Sequence, residues 1–217
     1  MTRRQVLRAA LGLGGLAIAG AGASVPALRW QRRDLVGFGT TLSLRAGHAD
    51  DATLSIALDA AVATLQRIEG QMSLFRADSA LSRLNRDGAL DAPPSELREV
   101  LAIALGVARH SRGAFNPTVQ PLWRAFAGAQ AQGRLPTAGE VAAARALVDW
   151  RDLRVTGGRV RLARRGMGVT LNGIAQGYAA DRVRAVLAAH GITDALVDAG
   201  EYAPLGRSPQ RDRKSVV

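Results

Sequence analysis

Apolar residues recur at helical spacing over a long stretch that begins near Asp51. Up to Met72 every third or fourth position is apolar, which places a hydrophobic stripe on one helix face. Either Asp50 or Asp51 can serve as N-cap, because a short carboxylate accepts hydrogen bonds from the first free amides. We therefore predict a helix with one buried face, formed by Leu54, Leu58, Ala61, Leu65, Ile68 and Met72.

Two further helices are indicated by the residues at their ends. One follows a pair of prolines, with Ser95 as N-cap, and ends at Gly113, which suits the C′ position. The other begins after Thr137, where Glu140 completes a capping box, and ends near Val148.

Three segments are typical of strands. Val36 to Arg45 alternates polar and apolar residues, Val155 to Val160 turns on two central glycines, and Leu196 to Ala199 is a short apolar run that we expect to be buried. No internal repeat or low-complexity linker divides the chain. The pattern predicts a single α+β unit.

The most informative run is G-M-G-V-T-L-N-G-I-A-Q-G-Y-A-A-D, from Gly166 to Asp181. It predicts a β-branched strand, a glycine-containing turn and a helix that runs to about His190. Gly173 and Gly177 lack a Cβ, so phosphates could approach the backbone at the positive end of the helix dipole. The alternative is that these glycines only permit tight packing between strand and helix.

The first 23 residues have the composition of an export signal. Arg3 and Arg4 form a twin-arginine pair, and the apolar stretch over residues 9–23 ends in an A-x-A-like cleavage site. We predict a twin-arginine (Tat) signal peptide over residues 1–23, read by the Tat translocase, and a periplasmic location for the remainder. The alternative is an uncleaved inner-membrane anchor, for which the segment is weakly hydrophobic.

Composition narrows the classes of function. With 217 residues, 47% hydrophobic and 22% charged, the chain is long and apolar enough for a globular core. The net charge is +11, but the arginines are scattered and aromatic residues are only 4%, so nucleic acid is not an expected partner. The absence of cysteine excludes disulfides, thiolate nucleophiles and thiolate metal sites.

Four blocks of sequence, in a fixed order, resemble a known family. They are G-F-G-T-T-L-S-L (Gly37 to Leu44), M-S-L-F-R-A-D-S-A-L-S-R-L-N (Met72 to Asn85), G-A-F-N-P-T-V-Q-P-L-W (Gly113 to Trp123) and T-L-N-G-I-A-Q-G-Y-A-A-D-R-V, ending at Val183. With these blocks the chain resembles the ApbE-like flavin transferases, FAD:protein FMN transferases, over about residues 35–206. The fourth block, followed by V-D-A-G-E-Y, most resembles the NosX-like branch, which matures flavoproteins of nitrous-oxide respiration.

The resemblance implies a single ApbE-like (T-fold-like) domain, a mixed sheet with flanking helices whose C-terminal part is missing. It also implies an enzyme that moves FMN from FAD onto a Thr or Ser hydroxyl of an exported flavoprotein. AMP is released, and Mg²⁺ neutralises charge on the pyrophosphate. Two alternatives stay open. In an FAD pyrophosphatase water replaces the protein hydroxyl, and a non-catalytic periplasmic FAD-binding protein performs no transfer at all.

The resemblance also implies the residues of the flavin site. Phe75 stands where the family often has Tyr, and its ring would stack on the isoalloxazine, although a core Phe at a helix end is the alternative. Gly173 stands where the family offers a backbone carbonyl to the metal. The implied FAD contacts are Phe38, Phe75, Ala114, Phe115, Asn116, Thr170 and Gln176.

Some positions depart from the family pattern. Asn116 and Thr170 replace Asp, and Gln176 replaces Lys or Glu, so these contacts are polar but uncharged. We expect Asp181 to be a helix cap or ion-pair partner rather than a ligand. The acidic pair Asp198 and Glu201 either lines the pocket or belongs to a turn at a strand end.

The family's later metal-site elements, a His before D-P-x-T-G and then an Asp and a Thr, have no match after Gly206. The three histidines lie outside every block and are expected at the surface or at helix ends. Lys214 is the only lysine among 29 basic residues. We therefore expect residues 24–206 to form an incomplete flavin transferase domain, residues 207–217 to be a non-native tail, and the catalytic residues to belong to a missing C-terminal part. The 217-residue chain itself is then expected to be inactive as a transferase.

Overall fold

The computed structural model describes residues 27–206, so the predicted signal peptide (1–23) and the predicted tail (207–217) lie outside the described residues. In the described part the strands are β1 (Arg29–Gly37), β2 (Thr40–His48), β3 (Ala89–Asp91), β4 (Leu153–Val155), β5 (Arg159–Leu162), β6 (Asp194–Asp198) and β7 (Tyr202–Leu205). The helices there are α1 (Asp51–Met72), α2 (Ala80–Asp87), α3 (Ser95–His110), α4 (Gln120–Gln130), α5 (Ala138–Arg145) and α6 (Ala175–Ala189).

The strands form two sheets, and the α+β prediction is confirmed. The larger sheet has the order β1-β2-β6-β7 and the smaller one β3-β5-β4. Every strand pair among the described residues is antiparallel, where a mixed sheet was predicted. In β6, Leu196 is 40% exposed between the buried Ala195 and Val197, so this strand is buried on one face only.

A two-residue turn connects β1 to β2. The prediction of one continuous strand from Val36 to Arg45 is wrong at Phe38 and Gly39, which reverse the chain with φ values of 53° and 79°. Two successive positive φ values suit the twist of a tight hairpin. Gly39 adopts this conformation freely, whereas Phe38 adopts it at an energetic cost.

The long helix α1 packs with α6 against the larger sheet and supplies much of the core. It begins where predicted, and the carboxylate of Asp50 caps it by accepting a hydrogen bond from the Thr53 amide at 2.8 Å. The predicted apolar stripe is completely buried, each residue being at most 1% exposed: Leu54, Leu58, Ala61, Leu65, Ile68 and Met72.

The predicted helix after the two prolines is confirmed as α3, but its ends differ in detail. It starts at Ser95, with Pro94 rather than Ser95 in the N-cap position and no side-chain cap. It ends at His110, before Gly113, whose amide donates to the Ala108 carbonyl at 2.8 Å and closes the turn.

The capping box predicted for α5 is present. Thr137 accepts a hydrogen bond from the Glu140 amide, and the Glu140 carboxylate accepts one from the Thr137 amide. The pKa of Glu140 is lowered to about 2, first by its hydrogen bonds with Arg134 and then by those with Thr137. The helix ends at Arg145, earlier than the predicted Val148.

The smaller sheet contains the predicted hairpin. Gly157 and Gly158 connect β4 to β5, and the Thr156 amide donates to the Arg159 carbonyl at 2.9 Å across the turn. None of the helices within residues 27–206 combines the length and apolar character needed to cross a membrane.

Candidate functional site

The segment that leads into α6 is extended but is not a strand, so the prediction of a strand there is wrong. Its backbone groups bond to a side chain and a loop instead of a neighbouring strand. The side-chain amide of Asn85 accepts from Val169 N at 2.6 Å and donates to Val169 O at 2.8 Å. Thr170 N donates to the Pro117 carbonyl at 2.8 Å. A primary amide offers the same donor and acceptor pair as the backbone of a neighbouring strand. The Asn85 side chain therefore takes the place of such a strand here.

The predicted helix after this segment is α6, and its start is open. Ile174 occupies the N-cap position and provides no side-chain hydrogen bond. A Cβ at Gly177 would meet nothing within 4 Å, and one at Gly173 would lie 3.6 Å from the Phe115 ring. The 15-residue helix therefore presents the positive end of its dipole without a side-chain cap, which is the arrangement that binds phosphate groups.

Five of the predicted site residues line one cleft of about 450 Å³ beside this helix start. We call this part of the site the cleft side. The predicted residues in it are Ala114, Phe115, Asn116, Thr170 and Gly173, and the remainder of the lining is Gly113, Pro117, Val119, Trp123, Val148 and Asn172. None of these lining residues carries a charged side chain.

Hydrogen bonds fix the polar groups of the cleft side. The Asn116 Oδ1 accepts from both the amide (3.0 Å) and the hydroxyl (2.8 Å) of Thr118, which leaves the Asn116 NH₂ group as its donor for a ligand. Thr170 is 9% exposed, and its hydroxyl oxygen accepts from the Asn172 amide at 3.3 Å. Both residues can make directional polar contacts without contributing a charge.

The other predicted contacts lie together on the opposite side of Asn172. We call this the aromatic side, a recess of about 120 Å³ lined by Phe38, Phe75, Gln176, Ser73, Leu74, Ala175 and Asn172. Phe75 is 67% exposed, so it is not the core Phe of the alternative interpretation. Its ring lies over Gly39, where an added Cβ would come within 2.6 Å of it. Phe38 is buried, and its amide donates to Glu69 Oε1 at 2.9 Å.

Gln176 extends from the first turn of α6 toward the connection between β6 and β7. A Cβ at Gly200 would lie 2.1 Å from Gln176 Nε2, so only glycine leaves room for this side chain. Asp198 accepts from the Gly200 amide at 3.1 Å, and Glu201 is exposed. The interpretation of Asp198 and Glu201 as parts of a turn at a strand end is therefore the one observed.

Asn172 is the site residue that sequence reasoning missed. It lines both the cleft side and the aromatic side, in the turn between the extended segment and α6. Its position in the sequence could have identified it, because a side-chain amide just before an uncapped helix start lies next to any bound anion.

The metal prediction depends on the Gly173 carbonyl, which lies at the cleft. Within residues 27–206 no group of three or more His, Cys, Asp or Glu side chains could hold a metal ion. Magnesium is bound in proteins through carboxylates with near-octahedral geometry, and the cleft lining contains none. The described residues alone therefore do not fit a magnesium site.

The remaining ionisable candidates lie outside the site, as predicted. His110 and His190 bond to carbonyls one turn earlier, those of Gly106 (2.7 Å) and Val186 (2.9 Å). Nδ1 of His48 accepts from the Asp50 amide at the start of α1. Asp181 is an exposed ion-pair partner of Arg184, at 3.5 Å.

Tyr178 connects the start of α6 to α3. Its hydroxyl donates to Glu99 at 2.8 Å, and the pKa of Tyr178 is raised to about 12, first by burial and then by this bond to a carboxylate. The tyrosine therefore stays neutral and keeps the first turn of α6 in place.

Comparisons with known proteins agree with this geometry. The ApbE family profile matches residues 38–216. The FAD:protein FMN transferase of Treponema pallidum is 32% identical over 159 residues, covering 69% of this chain and 44% of that protein. The protein of the same name from Vibrio cholerae is 30% identical over 170 residues, covering 75% and 50%. The chain thus spans about half the length of these curated relatives.

Solved structures give the same result. The apo form of the Pseudomonas stutzeri flavinyl transferase ApbE superposes with a TM-score of 0.72 at 28% identity, covering 84% of this chain and 60% of that one. A mutant of the Vibrio cholerae flavin transferase ApbE superposes with a TM-score of 0.73 at 25% identity, covering 83% and 64%. With the family profile extending over more than half of its residues, the chain belongs to the ApbE family.

Proposed function

We propose that the protein acts as an FAD:protein FMN transferase. A Thr or Ser hydroxyl of an acceptor flavoprotein attacks the phosphorus on the FMN side of the FAD pyrophosphate. The new bond joins that oxygen to phosphorus, the bond to AMP breaks, and AMP leaves while the hydroxyl gives up its proton. The names of the curated relatives support this reaction. The observation that carries it is the uncapped start of α6 between an exposed aromatic ring and an uncharged cleft that includes Asn116, Thr170 and Asn172.

Each side of the site has a part in binding FAD. The exposed Phe75 ring offers a face for the isoalloxazine, and stacking requires only that face. The open first turn of α6 accommodates the pyrophosphate, whose charge the helix dipole favours. The Asn116 NH₂ group and the Thr170 hydroxyl provide hydrogen bonds for ribityl or adenine groups, and Gln176 provides a further polar contact.

The proposed dependence on Mg²⁺ rests on the resemblance to the family. Bound beside the pyrophosphate, the ion would supply charge neutralisation during transfer. Its carboxylate ligands would have to come from outside residues 27–206, with the Gly173 carbonyl as the one predicted contribution of the described part.

A non-catalytic FAD-binding protein is the second candidate. The uncharged lining of the cleft favours it, because positions occupied by Asp, Lys or Glu in relatives are here Asn116, Thr170 and Gln176. Stacking and helix-dipole interactions can hold FAD without promoting transfer. An FAD pyrophosphatase would use the same pocket with water as the attacking group.

One assay separates the three functions. The protein is mixed with FAD and Mg²⁺, with and without a purified acceptor flavoprotein domain, and both covalent flavin (in-gel fluorescence) and AMP (chromatography) are measured. A transferase labels the acceptor and releases AMP with it. AMP and free FMN without acceptor identify a pyrophosphatase, whereas bound FAD with neither product identifies a binding protein.

The export proposal has its own test. We propose that Arg3 and Arg4 direct the folded protein through the Tat translocase to the periplasm. Replacing both with Lys should abolish periplasmic accumulation, measured by fractionation and immunoblotting. Undiminished export of that variant contradicts the assignment.

A further inference from the structure

The helix α4 directs its apolar stripe away from the core. Val119, Leu122, Trp123 and Phe126 follow the i, i+3, i+4, i+7 spacing that normally faces a protein interior. Trp123 is nevertheless 63% exposed and Phe126 47% exposed, and within α4 only Pro121 and Ala129 are buried. The four stripe residues line a groove of about 410 Å³, which we call the α4 groove.

The α4 groove is continuous with the flavin site. Val119 and Trp123 line both the groove and the cleft side. A polypeptide lying in the groove would therefore reach the mouth of the cleft without crossing a gap. The helix is also anchored to the segment before α6, because Arg124 Nη2 donates to the Met167 carbonyl at 3.1 Å.

The stretch of sequence that contains α4 is basic, which defines the partner further. Residues 111–135, which supply one wall of the cleft and all of α4, include three arginines and no acidic residue. Arg134 pairs with Glu140, and Arg112 makes no ion pair within the described residues. A matching surface would place aromatic or aliphatic side chains in the groove and acidic residues at its rim.

We propose that the α4 groove is the docking surface for the acceptor polypeptide, specifically for an apolar segment with acidic neighbours close to the hydroxyl that receives FMN. This proposal rests on the transferase function proposed above. The reaction requires a protein substrate to bring a hydroxyl to the bound FAD. The groove is the apolar surface that adjoins the cleft, and exposed aromatic side chains are frequent energetic centres of protein interfaces.

The test measures docking and transfer separately. Calorimetry without FAD gives the affinity for a purified acceptor domain taken from an exported flavoprotein of the same organism, and in-gel fluorescence with FAD and Mg²⁺ gives the transfer. The variants are Phe126→Ser, the conservative Phe126→Leu, and Ile56→Ser as matched control, since Ile56 is a 61% exposed apolar residue on α1. Phe126 lines the groove but not the cleft, so FAD affinity should stay unchanged.

We expect Phe126→Ser to weaken acceptor binding about tenfold, because truncation of a central interface aromatic commonly has this effect. Phe126→Leu should recover most of the affinity, and Ile56→Ser should behave as the wild type. Unchanged acceptor affinity in Phe126→Ser, or no acceptor binding by the wild type, overturns the docking proposal. If the wild type binds the acceptor through Phe126 but transfers no FMN, docking stands and the transferase function fails.

Two other occupants of the groove would also overturn the proposal. A wild-type dimer that Phe126→Ser converts to a monomer, seen by analytical ultracentrifugation, would assign the groove to a second copy of the chain. Tighter acceptor binding after removal of residues 1–26 would assign it to the chain's own N-terminal segment.

Discussion

The cleft side and the aromatic side of the site are held in place by different physical means. On the cleft side, hydrogen bonds hold the segment that carries Thr170: the partly buried Asn85 side chain pairs with Val169, the residue before it, and the Thr170 amide donates to the Pro117 carbonyl. On the aromatic side, hydrogen bonds hold the backbone amides of Phe38 and Phe75, but the exposed Phe75 ring rests on Gly39 and the Gln176 side chain occupies the space beside Gly200. Hydrogen bonds fix direction, whereas contact with glycine fixes only distance. We therefore expect the cleft side to be the more rigid of the two and the aromatic side to adjust to a bound ligand.

The largest expected effect comes from breaking the cleft side. Asn85→Ala leaves the N–H and C=O of Val169, a residue with no exposed surface, without partners. Each unsatisfied buried group costs about 1–3 kcal/mol, so the free energy of unfolding should fall by roughly 2–5 kcal/mol. Chemical denaturation measures this, with Arg83→Ala on the exposed face of the same helix as control. Equal stability of the two variants would show that water satisfies the Val169 N–H and C=O in place of the Asn85 side-chain amide.

A substitution on the aromatic side should change the affinity for FAD but not the stability of the fold. Phe75→Ala should weaken FAD binding by about 1–3 kcal/mol, the range found for stacking of bases on aromatic side chains. Its unfolding free energy should change by less than about 0.5 kcal/mol, because the ring is 67% exposed. Flavin fluorescence titration gives the affinity, and Ile56→Ala controls for loss of exposed apolar surface. Unchanged FAD affinity would remove Phe75 from the flavin site.

Substitutions at two glycines with similar backbone angles can distinguish the effect of backbone strain from the effect of contact with the Phe75 ring. Gly39 has φ 79° and Gly88 has φ 74°, so Ala at either position should cost about 1–2 kcal/mol of stability. Only at Gly39 would the new methyl group also meet the Phe75 ring; at Gly88 nothing lies within 4 Å. Gly39→Ala should therefore weaken FAD binding while Gly88→Ala leaves it unchanged. Equal FAD affinities in both variants would mean that the Phe75 ring can move away from the new methyl group without any effect on FAD binding.

Acid should produce the smallest effect, and we expect it at the start of α5. The pKa of Glu140 is lowered from 4.5 to about 2, so its stabilisation of the α5 start is complete above about pH 4.5 and is lost as the pH falls toward 2. Protection of the amides in the first turn of α5, corrected for the intrinsic exchange rate at each pH, should fall over this range; α5 packs on α4. Glu140→Gln should remove that pH dependence.

Regular periodicity allowed most of the fold to be predicted, and local interruptions account for the errors. The stripe of α1 and the capping box of α5 lie where their sequences indicate, because both depend on neighbours within a few turns. The turn at Phe38 could not be recognised in the sequence, since Phe seldom occupies a position with positive φ. The outward direction of α4 was equally hidden, because spacing identifies an apolar face but not what covers it.

The sequence indicated which residues could belong to the candidate site, but not how they are arranged. The implied FAD contacts do assemble around the start of α6, in two adjoining recesses. The predicted strand before α6 fails because β-branched residues favour any extended backbone, and here the partner is the side chain of Asn85 from a distant helix. Asn172 was missed for a related reason, since its importance comes from joining the two recesses and not from its chemistry alone.

The pairing of Asn85 with Val169 has a consequence for the order of folding. The two residues are 84 positions apart, so their contact closes a long loop and carries a larger entropic cost than the local contacts within α1 or α2. Helices in the first half of the chain can form and begin to pack before this loop closes. A partly folded chain would then have native helices but no cleft, so binding of a ligand in the cleft would report completion of the tertiary structure.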